Sequence, residues 1–201
     1  MGRILPRRFY DRDTEIVARE MLGTILECRT DEGTSSGVIV ETEAYIGEHD
    51  PACHAAAGRT RRTAPLYGPP GISYVYFIYG VHWCFNAVTR EEGLPSAVLV
   101  RAIEPFRGEE LMRVRRGPRV HGVNVTNGPG KLCEALGIDG SLNGVSLRHG
   151  PLVIREGRDV SDADVVTGPR IGITKAADWP LRFSILRNPF VSGARSVTQR
   201  A

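Results

Sequence analysis

The residues TILECRTDEGTSSGVIVETEAY, 24–45, predict a β-hairpin. Both ends of this stretch, TILECRT and GVIVETEAY, are rich in the β-branched residues that favour strands. The residues between them, DEGTSS, are small or polar and favour a turn. Strands joined by a short turn pair in the antiparallel sense, so the stretch predicts the start of an antiparallel sheet.

The segments around this hairpin predict more strands and a few helices. A helix is predicted for DRDTEIVAREMLG, 11–23, with Asp13 or Thr14 as its N-cap and Gly23 at its end. Further strands are predicted for SYVYFIYG (73–80), SAVLVRAIE (96–104), GPLVIREG (150–157) and PLRFSIL (180–186), and a short helix for GPGKLCEALGI (128–138). We therefore expect an α+β protein with a mostly antiparallel sheet, a few flanking helices and long functional loops.

Length and composition favour a single globular domain. The chain has 201 residues, of which 41% are hydrophobic and 24% charged, enough for one core. We expect one domain over residues 1–201, with short flexible termini at about 1–7 and 194–201. No apolar run approaches the ~20 residues of a membrane helix, and the start MGRILPRRFYDRD has no apolar signal core. These features predict a cytoplasmic monomer with no membrane partner.

The cysteines and histidines do not predict a metal site. The four cysteines are scattered without a CxxC pair, which favours reduced, buried thiols. His49 and His54 flank Cys53, but this spacing matches no zinc pattern. The sequence therefore predicts no bound metal.

Two long polar loops carry clusters of arginine. All but two of the 26 basic residues are arginines, and they are dense in GRTRR (58–62) and RVRRGPRVHG (113–122). Because a guanidinium fork suits phosphate oxygens, these clusters predict contacts with a nucleic-acid backbone. The candidates are Arg59, Arg115 and Arg116. The plainer interpretation is a solvated surface, with the arginine excess reflecting a GC-rich genome.

The strand VIVETEAYIG, 38–47, carries the most chemistry. Strict alternation places Val38, Val40, Thr42 and Ala44 on a core face and leaves Ile39, Glu41, Glu43 and Tyr45 on the other face. Two carboxylates beside a phenol form a possible acid–base site, although an exposed strand face with solvated glutamates has the same pattern. The alternation does not choose between Glu41 and Glu43.

Three tyrosines lie close together in SYVYFIYG, 73–80. Aromatic residues in a strand usually pack in a core. Their rings are also suited to stack on a flat nucleobase. The run by itself favours packing of the tyrosines in the core, and the neighbouring segments are needed to decide between packing and base stacking.

Four blocks resemble the 3-methyladenine (alkyladenine) DNA glycosylase family in their order and spacing. They are VETEAYIGEHDPACHAAAGRT, YVYFIYGVHWCFN, VLVRAIEP and NGPGKLCEALGI, and the resemblance runs from about Arg8 to Ser192. It implies a monofunctional DNA glycosylase of base excision repair. Such an enzyme flips a damaged purine out of double-stranded DNA and hydrolyses its N-glycosidic bond, without a metal or cofactor.

The resemblance also implies roles for individual residues. Glu43 matches the general base that activates the attacking water. Arg101 matches a second contact of that water, and the main-chain carbonyl of Ile171 matches a third. Tyr79 matches the wedge that enters the gap in the duplex, and Gly80 after it offers a bend that frees the ring from the strand.

The remaining matches concern the pocket for the flipped base. Tyr45 and His54 match residues that line it, and Tyr76 matches the ring that stacks on the base from the other side. Asn86 matches the side chain that excludes the 2-amino group of normal guanine. Tyr74 is given no role at the base and is expected to pack within the protein. The lesions implied are alkylated or deaminated purines: 3-methyladenine, 7-methylguanine, hypoxanthine and ethenoadenine.

Two other functions remain open from the residues alone. Gly-Pro-Gly before Lys131 suggests a bifunctional glycosylase/lyase with Lys131 as Schiff-base nucleophile, although a phosphate contact at a helix N-terminus explains the same residues. A non-catalytic binder of damaged duplex also fits the arginines and tyrosines, but it has no use for a carboxylate at Glu43. A zinc nucleobase deaminase is excluded because the H-x-E and PCxxC motifs do not occur.

Overall fold

The computed structural model describes residues 2–193, which form an α+β domain around one eight-stranded antiparallel sheet. The strands are β1 (Ile25–Thr30), β2 (Gly33–Tyr45), β3 (Ser73–Ile78), β4 (His82–Val88), β5 (Ala97–Arg107), β6 (Leu152–Arg155), β7 (Val165–Gly168) and β8 (Arg182–Ile185). The helices are α1 (Arg7–Tyr10), α2 (Thr14–Glu20), α3 (Glu109–Arg116) and α4 (Pro129–Leu136). The predicted fold class is confirmed.

The sheet places the longest strands at its centre. The main path runs β3-β4-β5-β2-β1-β6, while β8 pairs with the far end of β2 and β7 pairs with β8. Strand β2 therefore has β1 beside its first half and β8 beside its second half, with β5 on the other side from Ser36 to Tyr45. Residues from widely separated parts of the chain meet at β2.

The first hairpin forms as predicted, but its turn is shorter. Thr30 pairs with Gly33, so only Asp31 and Glu32 lie between the paired ends. Ser35 and Ser36, which the pattern assigned to the turn, are buried within β2. The small polar residues thus continue the strand.

A local irregularity in β2 corrects the predicted face of Ile39. The register against β5 shifts between Ile39 and Glu41 and again between Glu41 and Thr42. The first shift skips Val40 on β2 and the second skips Arg101 on β5, so only the first reverses the alternation of side chains within β2. Ile39 therefore lies in the core together with Ala44. Glu41, Glu43 and Tyr45 stay together on the opposite face, as predicted.

Helix α2 covers the core face of β2. The carboxylate of Asp13 accepts a hydrogen bond from the N–H of Glu15, which caps the helix as its sequence predicts. Val17 and Ala18 are fully buried, and the Ala18 carbonyl accepts a 2.8 Å hydrogen bond from the Thr42 hydroxyl. This packing leaves the opposite face of β2 available for a site.

The described residues include most of the N-terminal segment but not residues 194–201. Within the N-terminal stretch that we expected to be flexible, Ile4 forms a β-bridge to Arg155, and the N–H of Leu5 donates to the Ile154 carbonyl at 2.9 Å. The expected flexible segment at 194–201 lies outside the described residues. No helix within residues 2–193 is long and apolar enough to cross a membrane.

Candidate active site

A pocket of about 410 Å³ opens on the face of the sheet opposite α2. Its floor comes from strands β2, β4 and β5, and its sides come from the β3–β4 hairpin, the start of α4 and the loop that follows β7. The side chains of Tyr45, His54, Tyr76, Asn86 and Arg101 line it, together with Ile171. The structure thus brings together all the predicted base-pocket residues.

Glu43 lies beneath this pocket with no exposed surface. Its carboxylate accepts hydrogen bonds from the Tyr45 hydroxyl at 2.9 Å and from the N–H of Ile171 at 2.7 Å. Its Oε1 is also 3.1 Å from a terminal nitrogen of Arg101. All three partners line the pocket, so the buried carboxylate of Glu43 lies directly behind the pocket wall that they form.

Burial raises the pKa of the Glu43 carboxyl above its usual range. Arg101, the Ile171 N–H and the Tyr45 hydroxyl act in the opposite direction, and the negative charge of Glu41 adds to the increase. A carboxylate with a raised pKa is a stronger base than a solvated one. The position therefore suits proton removal from a water.

Glu41 occupies the same face two residues earlier but has different partners. Its carboxylate accepts from Arg182 Nε at 2.6 Å, from Arg101 Nε at 3.2 Å and from the N–H of Ser192 at 2.6 Å. It is fully buried and does not line the pocket. Glu43 is not a lining residue either, but its three partners all line the pocket, whereas Arg101 is the one lining residue among the named partners of Glu41. Glu43 is therefore the more closely connected of the two carboxylates to the pocket.

His54 and Tyr76 form one aromatic wall. Their ring centroids are 4.6 Å apart with the rings nearly edge to face, which leaves no room for a third ring between them. His54 Nδ1 lies 2.8 Å from the Tyr74 hydroxyl. His54 therefore belongs with Tyr76, whereas the resemblance implied that these two residues lie on opposite sides of a base.

Tyr45 has a separate environment. The guanidinium carbon of Arg170 lies 4.7 Å from the centre of the Tyr45 ring. Arg170 in turn donates to the Ala44 carbonyl at 3.0 Å and to both carboxylate oxygens of Asp50. Tyr45 is thus supported from behind by a buried ion pair.

Asn86 lies on β4 with 4% of its surface exposed. Its Nδ2 donates a 2.9 Å hydrogen bond to the carbonyl of Tyr74, its partner across the β3–β4 pair. This bond holds the side chain at the pocket wall.

Tyr79 stands at the tip of the β3–β4 hairpin, where 80% of its surface is exposed. Tyr79 and Gly80 have φ values of 54° and 70°, a left-handed pair at the centre of the turn. Positive φ is strained for a tyrosine. Phe77 and Val81 flank it and are 45% and 66% exposed. The hairpin therefore presents an apolar tip of three side chains, whereas the sequence analysis predicted only Tyr79 there.

The four candidate backbone contacts divide into two groups. Arg59 is exposed in the loop before β3, and Lys131 lines the pocket while its ammonium donates to Asn127 Oδ1 at 2.7 Å. Arg115 donates to Glu32, Thr30, Ser35 and the Ala135 carbonyl, and only 9% of its side chain is exposed. Arg116 pairs with Glu134 and is 12% exposed. The last two arginines tie α3 to α4 and to the first hairpin, and the structure does not bring them to the pocket.

Several supporting residues were missed by the sequence reading. Arg182 and Ser192 contact Glu41, and Arg170 lies over the ring of Tyr45, all across long sequence separations. Asp50 is the ion-pair partner of Arg170. Nothing in their local sequence marks them, because each is an ordinary polar residue in a loop or short strand. Within residues 2–193, no group of three or more His, Cys, Asp or Glu side chains is arranged to hold a metal ion.

Comparison with known proteins gives a consistent result. The model of the methylpurine-DNA glycosylase family matches residues 8–189. A protein of Methanoculleus marisnigri is 48% identical over 98% of this chain and 99% of its own length. One of Rhodopseudomonas palustris is 49% identical over 96% of this chain and 92% of its own. Both are named "Putative 3-methyladenine DNA glycosylase".

Proposed function

Because the chain belongs to the methylpurine-DNA glycosylase family and is therefore a DNA N-glycosylase, we propose that it hydrolyses damaged purines with a water activated by Glu43. The lesions are alkylated or deaminated purines of the 3-methyladenine, 7-methylguanine, hypoxanthine and ethenoadenine class. The enzyme acts as a monomer on double-stranded DNA in the cytoplasm, at the nucleoid in a bacterial host. No cofactor takes part.

The observation that carries this proposal is the buried Glu43 carboxylate, whose three partners Tyr45, Arg101 and Ile171 all line the pocket. A water held between Glu43, Arg101 and the Ile171 carbonyl is placed by groups that already lie together, since Arg101 is 3.1 Å from Glu43 and 3.4 Å from that carbonyl. Glu43 takes a proton from this water as its oxygen attacks C1′ of the sugar. The bond from C1′ to the purine nitrogen breaks, and its electron pair leaves with the base.

The charge of the lesion explains why one carboxylate suffices. A purine alkylated at N3 or N7 is cationic and departs as a neutral base, so no acid is needed to protonate it. The carboxylate of Glu43 also stabilises the positive charge that develops on the sugar. A neutral lesion such as hypoxanthine requires protonation of the leaving purine as well.

We place the flipped base between Tyr45 and the wall formed by His54 and Tyr76. This arrangement follows from the contact between those two rings, which prevents insertion between them. Burial, with help from Arg62, lowers the pKa of His54, so the imidazole is neutral near pH 7 and does not repel a cationic purine. Stacking on these rings recovers part of the free energy lost on unstacking from the duplex.

The exposed hairpin tip supports the duplex side of the proposal. Tyr79 projects beyond the mouth of the pocket and can fill the gap that the flipped nucleotide leaves. Arg59 and Lys131 are the basic residues that we assign to phosphate contacts. Arg115 and Arg116 are left out of this set because their guanidinium groups are engaged within the protein.

The test compares Glu43→Gln with wild-type protein on a duplex that contains one hypoxanthine. We expect base release, scored as alkali-labile sites, to be abolished. Binding to the lesion duplex should be retained or tightened, because a negative charge is removed from beneath the pocket that receives the polyanionic DNA. Glu92→Gln, an exposed change of the same chemical type, serves as the control and should release base normally. A folded Glu43→Gln variant with wild-type activity would refute the assignment.

Base release on the same duplex, together with borohydride trapping, separates the proposed function from a non-catalytic binder and from a glycosylase/lyase. A non-catalytic binder of damaged duplex leaves no abasic sites with the wild-type protein. A glycosylase/lyase with Lys131 as nucleophile forms an enzyme–DNA adduct that borohydride traps. Water as the nucleophile leaves nothing to trap.

A further inference from the structure

The buried carboxylate of Glu41 has no place in the chemistry proposed above, yet it is more fully bonded than Glu43. Arg182 Nε and Arg101 Nε both reach its Oε1, and the Ser192 hydroxyl reaches the same oxygen at 2.9 Å. Its other oxygen accepts from the N–H of Ser192 at 2.6 Å. A fully buried charge with this many donors is held in one position.

The result of this bonding is that Arg101 is held at three points. Its Nε donates to Glu41 at 3.2 Å, and one terminal nitrogen lies 3.1 Å from Glu43. The other terminal nitrogen donates to the hydroxyl of Ser192 at 3.3 Å. A planar guanidinium with contacts on all three nitrogens cannot rotate about its long axis without breaking them.

We propose that Glu41 is a positioning residue for Arg101, and that it recruits Ser192 so that the segment after β8 completes the active site. This inference rests on the function proposed for Glu43. Glu41 does not touch the pocket, so its effect reaches the reacting water through Arg101. Arg182 bonds the same carboxylate oxygen as Arg101 Nε and so ties Glu41 to β8.

The charges in this cluster predict a second effect of Glu41. The groups that face Glu43 are Arg101 from β5, Tyr45 and Glu41 from β2, Cys84 from β4, and Arg170 from the loop after β7. Among them Glu41 is the acidic neighbour that raises the pKa of Glu43. Removing its charge leaves the positive charges of Arg101 and Arg170 to act on Glu43, so the pKa of Glu43 should fall.

Single-turnover base release measured across pH tests the inference with two matched variants. Glu41→Gln removes the charge, and Ser192→Ala removes only a hydroxyl while it keeps the N–H that donates to Glu41. For Glu41→Gln we expect the rate constant at neutral pH to fall by roughly 10- to 100-fold, as misplacement of a positioning group does. The acidic limb of its pH–rate profile should also move to lower pH.

The other readouts separate positioning from general damage. Ser192→Ala should lose less rate and keep the acidic limb of wild-type protein, because the charge of Glu41 stays. Binding to the lesion duplex should be unchanged in both variants, since neither residue touches DNA. If Glu41→Gln lowers the folded fraction, Glu41→Asp replaces it: the charge is kept but retracted, so the rate should fall without a shift of the limb.

The outcomes distinguish failure of this inference from failure of the proposed function. An active Glu43→Gln variant overturns the proposed function itself. Wild-type activity that depends on Glu43, combined with an unchanged rate and profile in folded Glu41→Gln, overturns the inference alone. Equal shifts of the limb in Glu41→Gln and Ser192→Ala would also overturn it, because the charge of Glu41 would then not be their cause.

Discussion

Replacing Asp50 by Asn should strongly destabilise the protein, because Asp50 is the counter-ion of a fully buried arginine. The side chains of Asp50 and Arg170 both have 0% exposed surface. Arg170 donates to both carboxylate oxygens, and the N–H groups of Ile46 and Ala52 also donate to Asp50, at 3.3 and 3.0 Å. The pair joins the loop that carries His54 to the loop that carries Ile171.

The size of the effect follows from the charge left behind. Breaking a buried ion pair by removing one partner costs about 3–5 kcal/mol, since the remaining charge has no counter-ion. For a domain of this length each kcal/mol lowers Tm by roughly 2–4 °C. The variant should therefore melt roughly 6–20 °C below wild-type protein. The double variant Asp50→Asn/Arg170→Met should lose less, because it leaves no buried charge.

The effect should depend on pH in a defined direction. Burial acts to raise the pKa of Asp50, but the hydrogen bonds and charge of Arg170 and the backbone N–H groups outweigh it, so the pKa is lowered. A carboxyl whose folded-state pKa is depressed stabilises the fold above its unfolded-state value of about 3.9, and this contribution is lost as pH falls through the folded-state pKa. The difference between wild type and variant should therefore be full at pH 7 and shrink below about pH 4.

Urea unfolding at pH 7 measures the loss directly. The control is Glu20→Gln, which breaks the ion pair between Glu20 and Arg12. The side chain of Arg12 is 34% exposed and that of Glu20 is 44% exposed. Exposed pairs contribute about 0–1 kcal/mol. A loss for Asp50→Asn no larger than that of the control would refute the reasoning, as would a double variant less stable than the single one.

Further predictions concern the pocket and the DNA contacts. Asn86→Ala should raise excision of guanine opposite thymine relative to hypoxanthine, since the side chain that excludes the 2-amino group is gone; an unchanged ratio in folded, active protein contradicts this role. Tyr79→Ala should alter the unfolding free energy by less than about 0.5 kcal/mol, because the ring is exposed, yet slow excision from duplex DNA; wild-type rates would exclude the wedge. Lys131→Ala should still release base, and borohydride should trap no adduct with wild-type protein; an adduct lost in the variant would establish the lyase. Arg59→Ala should flatten the slope of log K against log salt by about one unit, whereas Arg115→Ala should lower stability and leave the slope; the reverse result would restore Arg115 as a phosphate contact.

Hydrophobic and turn patterns predicted the elements that build the sheet. The hairpin of β1 and β2, the helix capped by Asp13 and the strands that carry Tyr76 and Arg101 all form where their residues indicate. These features depend on neighbours in sequence, on strand alternation and on capping, so a single chain is sufficient to predict them. Alternation also placed Glu41, Glu43 and Tyr45 on one face.

Only the tertiary structure distinguished the two glutamates. Glu41 and Glu43 are two residues apart on one strand, so every local pattern treats them alike. Their difference comes from partners far away in the chain: Glu43 meets the N–H of Ile171, and Glu41 meets Ser192. The same holds for Ile39, whose face depends on a register shift against β5. Burial and charge pairing are properties of the packed molecule, and they decide which of the two carboxylates has all its named partners at the pocket.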